Sequence, residues 1–254
     1  MQNLSLFEIG VIGFLAQIID GTLGMGYGVT SSTLLISLGF SPIIASASVH
    51  TSEIFVTLVS GLSHFKFGNI KKDLLKPLIL FGIIGGILGA CGLVRLPPQP
   101  IKLIVGLVLL IMGGIIFYRF MFKYKKLNTP RIKKYSINRL RALGFVASFI
   151  DAVGGGGWGP ICTPILVVTG SDPDKVVGSV NLAEFFITLA ITSTFFLLIG
   201  TENFRWEVII ALLVGGILAA PLAAFTCKKL PKRILGIFIG IIVIILSLKI
   251  ILRK

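Results

Sequence analysis

The fold of this chain is decided by two related stretches, GFLAQIIDGTLGMGYGVTSSTLLISLGFSP at residues 13–42 and GFVASFIDAVGGGGWGPICTPILVVTGSDP at residues 144–173. The match extends without a gap, so that residues 13–60 align with residues 144–191 at an offset of 131, with 17 identities in 48 pairs. The identities include Asp20/Asp151, Gly24/Gly155, Gly26/Gly157, Gly28/Gly159, Gly39/Gly170, Pro42/Pro173, Ser48/Ser179, Glu53/Glu184 and Thr57/Thr188. Duplicated halves carrying glycines, prolines and carboxylates in an apolar chain are typical of repeat-built membrane transporters.

The composition places the chain in a lipid bilayer. Of 254 residues, 55% are hydrophobic and 13% are charged, and the mean hydropathy is +0.99. A soluble domain carries about 25% charged residues, so this chain has too little polar surface for water. The net charge of +14 does not indicate nucleic acid, because the basic residues lie in short connections between apolar runs. Cys91, Cys162 and Cys227 show no metal or disulfide spacing, and no cofactor motif is present.

Each half predicts a broken pair of helices followed by three spans. The apolar runs 29–38 and 160–169 follow the glycine clusters and are too short to cross a bilayer, which takes about 20 helical residues. We therefore expect half-helices or a re-entrant hairpin at each cluster, buried in protein or lining a wet cavity. Ser41-Pro42 and Asp172-Pro173 predict the start of the next helix in each half. The all-α fold divides into repeats 1–122 and 142–254, joined by a basic linker at 123–141.

The distribution of lysine and arginine predicts inverted halves. Segment 119–141 holds nine of these residues, and segments 64–76 and 227–233 hold four each. If the linker is cytoplasmic, 18 of the 24 basic residues lie inside and six lie outside. Because each half then crosses an odd number of times, the two halves insert in opposite orientations, with both chain termini outside. We expect a multi-pass protein of the cell (inner or plasma) membrane.

The glycine clusters resemble a known family. Gly24-Met25-Gly26-Tyr27-Gly28 and Gly154–Pro160 are similar to the motifs of the TauE/SafE sulfite exporters, whose two related halves each carry a glycine-rich motif before an apolar helix. The second half fits this pattern through Pro164, whereas the first has Thr33 at that position and Tyr27 within its glycine run. The resemblance covers almost the whole chain, including the small polar segments around Ser46–Glu53 and Gly178–Glu184. It implies export of sulfite or a related sulfur-containing anion.

The glycines are candidates for the substrate site. Backbone N–H groups and helix dipoles are the remaining source of positive potential in spans that hold almost no lysine or arginine. Positive φ is expected at Gly26 and Gly157. The alternative is that the glycines only let helices pack closely. The predicted substrate-binding residues are Gly24, Gly26, Gly28, Gly155, Gly156, Gly157, Trp158, Ser48, Ser179 and Asn181.

Carboxylates within the spans are candidates for ion coupling. Glu53 and Glu184 lie mid-span, where an ionised carboxylate costs on the order of 3 kcal/mol. Helical spacing puts His50, Glu53 and Thr57 on one face, and Asn181, Glu184 and Thr188 on the matching face. The glutamates either exchange protons with a pathway, helped by His50, or make structural hydrogen bonds to backbone.

The paired aspartates precede the glycine breaks. Asp20 and Asp151 are placed with the coupling residues, and the alternative of capping exposed N–H groups is favoured for both. Tyr27 and Trp158 occupy equivalent positions and either shape the cavity or pack in the core.

Three functions compete. The favoured one is a secondary transporter of a small anion, energised by an ion gradient because no ATP-binding motif occurs. A non-transporting membrane subunit is the second. An intramembrane hydrolase using Asp20 and Asp151 is disfavoured, because both acids precede the glycines and no Ser/His pair or HExxH motif occurs. The expected partners are a small anionic substrate and lipid, without nucleic acid or metal, and a homo-oligomer is left open.

Overall fold

The computed structural model describes residues 5–123, 136–168, 172–227 and 232–252. Ten α-helices account for most of this part of the chain: α1 (Leu6–Leu23), α2 (Tyr27–Ser37), α3 (Pro42–Lys66), α4 (Lys72–Arg95), α5 (Pro98–Tyr118), α6 (Ile137–Gly154), α7 (Trp158–Val168), α8 (Pro173–Ile199), α9 (Trp206–Thr226) and α10 (Lys232–Leu252). A π-helical turn extends α5 over Arg119–Lys123, and a 3₁₀ turn, Thr201–Asn203, precedes α9. No strand occurs in the described ranges, so the all-α prediction is confirmed.

Each half contains a pair of helices interrupted by glycines and then three long helices, as the sequence predicts. The interruptions separate α1 from α2 and α6 from α7. The predicted caps are also present. The Ser41 side chain accepts a hydrogen bond from the N–H of Ile44 at 3.3 Å, and Asp172 accepts one from Asp174 at 3.3 Å. In both helices proline occupies the first turn, where a backbone N–H would have no partner in the helix.

The polarity of the fold is that of a membrane protein. Six helices are long and apolar enough to cross a bilayer: α1, α3, α4, α5 with its π-helical extension, α8 and α9. Large apolar side chains face outward, among them Leu197 at 87% exposure and Phe7 at 79%. Serines, threonines, a glutamine and several acids lie inside. Polar groups face inward in this way when the solvent outside is hydrocarbon.

Glycines set the helix contacts. A Cβ at Gly13 of α1 would lie 2.5 Å from the Leu212 carbonyl oxygen of α9. A Cβ at Gly144 of α6 would lie 2.8 Å from the Leu78 carbonyl oxygen of α4. These two glycines are equivalent under the repeat, so both halves use the same device. Small residues allow such backbone approach where no hydrophobic effect drives helices together.

Helices of each half pack mainly against helices of the other half. α1 packs against α9 of the second half, and its equivalent α6 packs against α4 of the first. In the same way, α3 contacts α9 while α8 contacts α4. The equivalent helices α3 and α8 also contact each other, as do α5 and α10. The halves are therefore interlocked rather than adjacent domains. Such exchange is expected of a pseudo-twofold relation between repeats, and the inverted orientation of the halves stays a prediction.

The second repeat begins earlier than predicted. α6 starts at Ile137, so residues 137–141 of the predicted linker 123–141 are helical. The hydropathy pattern does not show this start, because Arg139 and Arg141 lie in the first turns of α6 and the apolar run begins only at residue 142. Linker residues 124–135 lie outside the described residues, as do 169–171, which include Gly170, and 228–231.

The inverted topology predicts that Lys72 and Asn203 lie on opposite sides of the membrane. Lys72 begins α4, and Asn203 lies in the 3₁₀ turn that precedes α9, the matching helix of the second half. In a parent chain whose three cysteines are replaced by alanine, we expect a membrane-impermeant thiol reagent applied to intact cells to label Asn203→Cys and not Lys72→Cys. Disrupting the cells should expose both. Labelling of both variants from one side would contradict inverted halves.

Candidate functional site

Two short backbone breaks form the centre of the candidate site. α1 ends in a left-handed residue, Gly24 with φ of 65°, and α6 ends equivalently at Gly155 with φ of 67°. Gly26 also has a positive φ, 132°, as the sequence predicts. For Gly157 that prediction is wrong, because its φ is not positive. The halves thus enter α2 and α7 by different backbone routes.

The two breaks lie against each other. A Cβ at Gly28 would lie 3.0 Å from the carbonyl oxygen of Gly155, and a Cβ at Gly159 would lie 2.6 Å from that of Gly24. A Cβ at Gly156 would overlap the peptide between Gly28 and Val29. The two glycine clusters therefore meet at the interface between the halves. Only residues without a side chain allow backbones to come so close.

Reciprocal hydrogen bonds hold this glycine crossing, by which we mean residues 24–28 packed on residues 155–159. The Ser32 hydroxyl donates to the carbonyl of Gly155 at 2.5 Å, and the Thr163 hydroxyl donates to that of Gly24 at 2.6 Å. Ser32 and Thr163 are equivalent under the repeat. The sequence analysis identified neither residue, although a hydroxyl at both equivalent positions indicates a role shared by the two halves. It also missed Ser46 of α3, which donates to the carbonyl of Ala152 in α6 at 2.8 Å.

The paired aspartates cap the second helix of each break. Oδ1 of Asp20 accepts from the N–H of Tyr27 at 3.5 Å, and Oδ1 of Asp151 accepts from the N–H of Trp158 at 3.1 Å. These N–H groups open α2 and α7 and would otherwise have no partner. The geometry is that of helix capping, and a role of the aspartates in ion coupling stays a prediction.

Four carboxyls gather beside the glycine crossing. Asp20, Glu53, Asp151 and Glu184 come from α1, α3, α6 and α8, interact electrostatically with one another, and are only 2–6% exposed. A Cβ at Gly28 would lie 2.9 Å from Oε1 of Glu53, so this carboxyl borders the crossing directly. Among the described residues no lysine or arginine is buried. No described residue, through its backbone or its side chain, hydrogen-bonds to the carboxyl group of Glu53 or Glu184. The structural alternative for the glutamates, a bond to backbone, is therefore not observed.

His50 differs from the arrangement that helical spacing suggested. Its partner is not Glu53 on its own helix but Asp151 of the other half, with Nε2 3.1 Å from Oδ2. The equivalent residue Asn181 lies beside Asp20, accepts a hydrogen bond from Ser60 at 2.7 Å and donates to the carbonyl of Val177 at 3.2 Å. Each half therefore places a polar side chain beside the aspartate of the other half, and this side chain is a histidine only in the first half.

The remaining predicted residues have structural contacts. The Tyr27 hydroxyl donates to the carbonyl of Leu212 at 3.1 Å, and the indole N–H of Trp158 donates to that of Val180 at 3.1 Å. Both rings are buried, which fits core packing. Ser179 bonds the N–H of Lys71 at 2.7 Å, in the connection between α3 and α4, and is not brought to the crossing by these contacts. The equivalent Ser48 is buried, and its hydroxyl has no partner among the described residues.

The chain resembles known membrane proteins. Residues 9–250 match the family described as sulfite exporter TauE/SafE. The chain belongs to this family. It is 42% identical over 259 aligned positions to a probable membrane transporter protein, YtnM, of Bacillus subtilis (strain 168), covering all of this chain and 84% of that protein. A probable membrane transporter protein of Haemophilus influenzae is 38% identical over 105 positions, covering 39% of this chain and 40% of that protein. No solved structure matches significantly.

Family and fold together establish the general class. A match over nearly the whole chain and six helices able to span a bilayer describe a multi-pass membrane transporter of the TauE/SafE type. The predicted membership of this family is confirmed.

Gly156→Ala tests the closeness of the glycine crossing. The added methyl overlaps backbone of α2 that has no flexible side chain to move aside. We expect a loss of about 1–3 kcal/mol of stability, which lowers the melting temperature in detergent by roughly 2–4 °C per kcal/mol for a chain of this size. Gly114→Ala is the matched control, because a Cβ there meets no atom within 4 Å. Equal melting temperatures for the two variants would contradict the close crossing.

Ser32→Ala and Thr163→Val test the reciprocal hydrogen bonds. Each leaves a buried carbonyl of the opposite glycine segment without its donor. We expect each change to destabilise the protein by about 1–3 kcal/mol, with similar losses because the sites are equivalent. Unfolding in detergent measures both, and Ser193→Ala, whose exposed hydroxyl donates only to the carbonyl of Leu189 in its own helix, is the control. A loss at one site only would show that the two halves are not held reciprocally.

Proposed function

We propose that this protein is a secondary transporter that exports a small sulfur-containing anion, of the sulfite, thiosulfate or organosulfonate class, across the cell membrane and uses an ion gradient. The observation that supports this most is the glycine crossing, where the helix N-termini of both halves meet inside a member of a sulfite exporter family. The family description supports the class of anion, and the geometry of the site supports the mechanism.

The site must stabilise an anion without basic side chains. The first turns of α2 and α7 supply backbone N–H groups and the positive ends of two helix dipoles. Pro160 removes one N–H from the first turn of α7, so α2 offers the larger set of donors. Asn181 adds an amide close to Asp20. An anion held by backbone donors is recognised by charge and size, which suits a class of related oxyanions.

The glycine crossing is closed in the described conformation. Gly156 packs directly on the start of α2, where an anion would meet the N–H groups of Gly28 and Val29. Binding therefore requires the two glycine segments to separate. Because one segment belongs to each half, relative movement of the halves opens or closes the site, as alternating access requires.

The carboxyl cluster connects the anion to an ion gradient. Four buried carboxyls without a buried lysine or arginine in the described residues would repel an anion if all were ionised. Protons neutralise such a cluster without needing a metal-binding cage. Proton occupancy and anion binding then favour each other, and reciprocity between two ligands is the basis of coupled transport.

A substrate panel tests the function. Purified protein in liposomes is loaded with radiolabelled sulfite, thiosulfate, sulfate or a small sulfonate, and efflux is compared with that from protein-free liposomes. We expect protein-dependent efflux of at least one of the reduced or organic sulfur anions. No protein-dependent flux of any anion would favour the alternative of a non-transporting membrane subunit.

Glu53→Gln and Glu184→Gln test the role of the glutamates. The amide keeps the shape of the side chain and removes titration, and neither carboxyl has a hydrogen-bonded partner among the described residues. We expect at least one substitution to flatten the pH dependence of initial flux while flux at the most favourable pH survives. Glu202→Gln, on the exposed turn before α9, is the control. Profiles like that of the wild type in both single variants and in the double variant would leave the glutamates as structural residues.

A further inference from the structure

The hydrogen bonds of His50 fix where its protons lie. Nδ1 lies 2.8 Å from the backbone carbonyl oxygen of Ser46, one turn earlier in α3. A carbonyl oxygen only accepts hydrogen bonds, so Nδ1 must carry a proton. The Ser46 hydroxyl, 3.3 Å from the same nitrogen, donates its own proton to the Ala152 carbonyl and therefore accepts from the ring. Both contacts therefore require a proton on Nδ1 of His50.

A second proton must lie between the two halves. Nε2 of His50 lies 3.1 Å from Oδ2 of Asp151. With Nδ1 protonated, a neutral ring offers only a lone pair at Nε2, and an ionised carboxylate also offers only lone pairs. The contact therefore needs one proton shared by these two atoms. Whether the proton is written on the ring or on the carboxyl, the pair is neutral as a unit.

We propose that the proton shared by His50 and Asp151 is the transported or exchanged coupling proton, held at one site per chain and binding the first half to the backbone break of the second. This inference rests on the proposed transport function and names its coupling site. The ligand is a single proton, and the site consists of Nε2 of His50 and Oδ2 of Asp151.

Losing the proton opens this contact. The deprotonated pair carries one negative charge and faces Asp20 on α1, Glu53 on α3, Cys162 on α7 and Glu184 on α8. No described lysine or arginine is buried that would replace the proton. Two facing lone pairs and the neighbouring acids therefore drive His50 away from Asp151.

The position of Asp151 connects this step to the glycine crossing. Its other oxygen caps α7 through the N–H of Trp158, and the next residue, Ala152, accepts the bond from Ser46. α3 of the first half thus holds α6 of the second at its break by two adjacent contacts. Release of the proton removes one of these two contacts beside the glycine crossing, so the protonation of the pair and the separation of the crossing are linked.

The repeat supplies one such site and not two. At the position equivalent to His50 stands Asn181, whose amide lies beside Asp20 and bears no exchangeable charge. An amide preserves a polar contact in every state of the cycle, whereas the imidazole contact depends on the proton. We therefore expect one coupling proton from this pair in each cycle.

The first test is independent of transport. The chain has two histidines, His50 and His64, so ¹⁵N-histidine labelling gives two imidazoles, assigned with His50→Gln. We expect Nδ1 of His50 to show a protonated signal and the Nε2 signal to change in Asp151→Asn, which cannot share a proton in the same way. An Nε2 signal identical in the wild type and in Asp151→Asn would overturn the shared proton even if anion transport is fully confirmed.

The second test separates coupling from movement of the anion. His50→Gln keeps an amide donor towards Asp151 and loses titration. In liposomes with an anion moved by the wild type, we expect counterflow exchange to persist in His50→Gln. Accumulation driven by a pH gradient of one unit, up to about tenfold for one proton, should be lost. His64→Gln, whose ring lies apart against the Gly21 carbonyl, should accumulate like the wild type.

The outcomes are distinct. Accumulation by His50→Gln equal to that of the wild type would overturn the coupling role, although the transport function would stand. If the wild type moves no anion of the panel, the proposed function fails, and the NMR result alone decides whether the two halves share a proton.

Discussion

Backbone contact between the two glycine segments is the constraint on which the rest of the structure depends. Segments 24–28 and 155–159 approach so closely that a methyl group at Gly156 would overlap the peptide that opens α2. In lipid, helices gain little from hydrophobic association, so contacts of this kind and buried hydrogen bonds must hold the repeats together. Ser32 and Thr163 supply those bonds by donating across the crossing to the carbonyls at the end of α6 and α1. Each half thus completes the helix end of the other.

This constraint also places the acids. Because Asp20 and Asp151 stand one turn before their breaks and cap the helices after them, bringing the breaks together brings both aspartates together. α3 and α8 then contact each other and add Glu53 and Glu184. The cluster is therefore a consequence of the crossing. An acid cluster is costly in lipid, and a chain that builds one from both halves has a site whose charge depends on how the halves meet.

Much of this architecture follows from the sequence because the repeat carries positional information. The offset of 131 identified the breaks, the caps at Ser41 and Asp172, the pairing of Asp20 with Asp151 and the equivalence of Glu53 and Glu184. The partner of His50 could not be found this way. Helical spacing orders residues on one helix, whereas the contact with Asp151 depends on how α3 crosses α6. The φ of Gly157 was missed for a similar reason, since identical residues need not share a backbone route when their neighbours, Met25 and Gly156, differ.

The differences between the two halves are also informative. A protein of two equal halves would have two equal proton sites, and nothing in its chemistry would distinguish the two directions of movement. Here His50 faces Asp151 while Asn181 lies beside Asp20, so the proposed proton site involves an imidazole of one half, and the other half supplies an amide at the equivalent position. The repeat accounts for the structural framework, and under the proposed coupling the exchange of one imidazole for one amide would make the two halves respond differently to pH. A pH gradient can therefore favour one arrangement of the halves over the other.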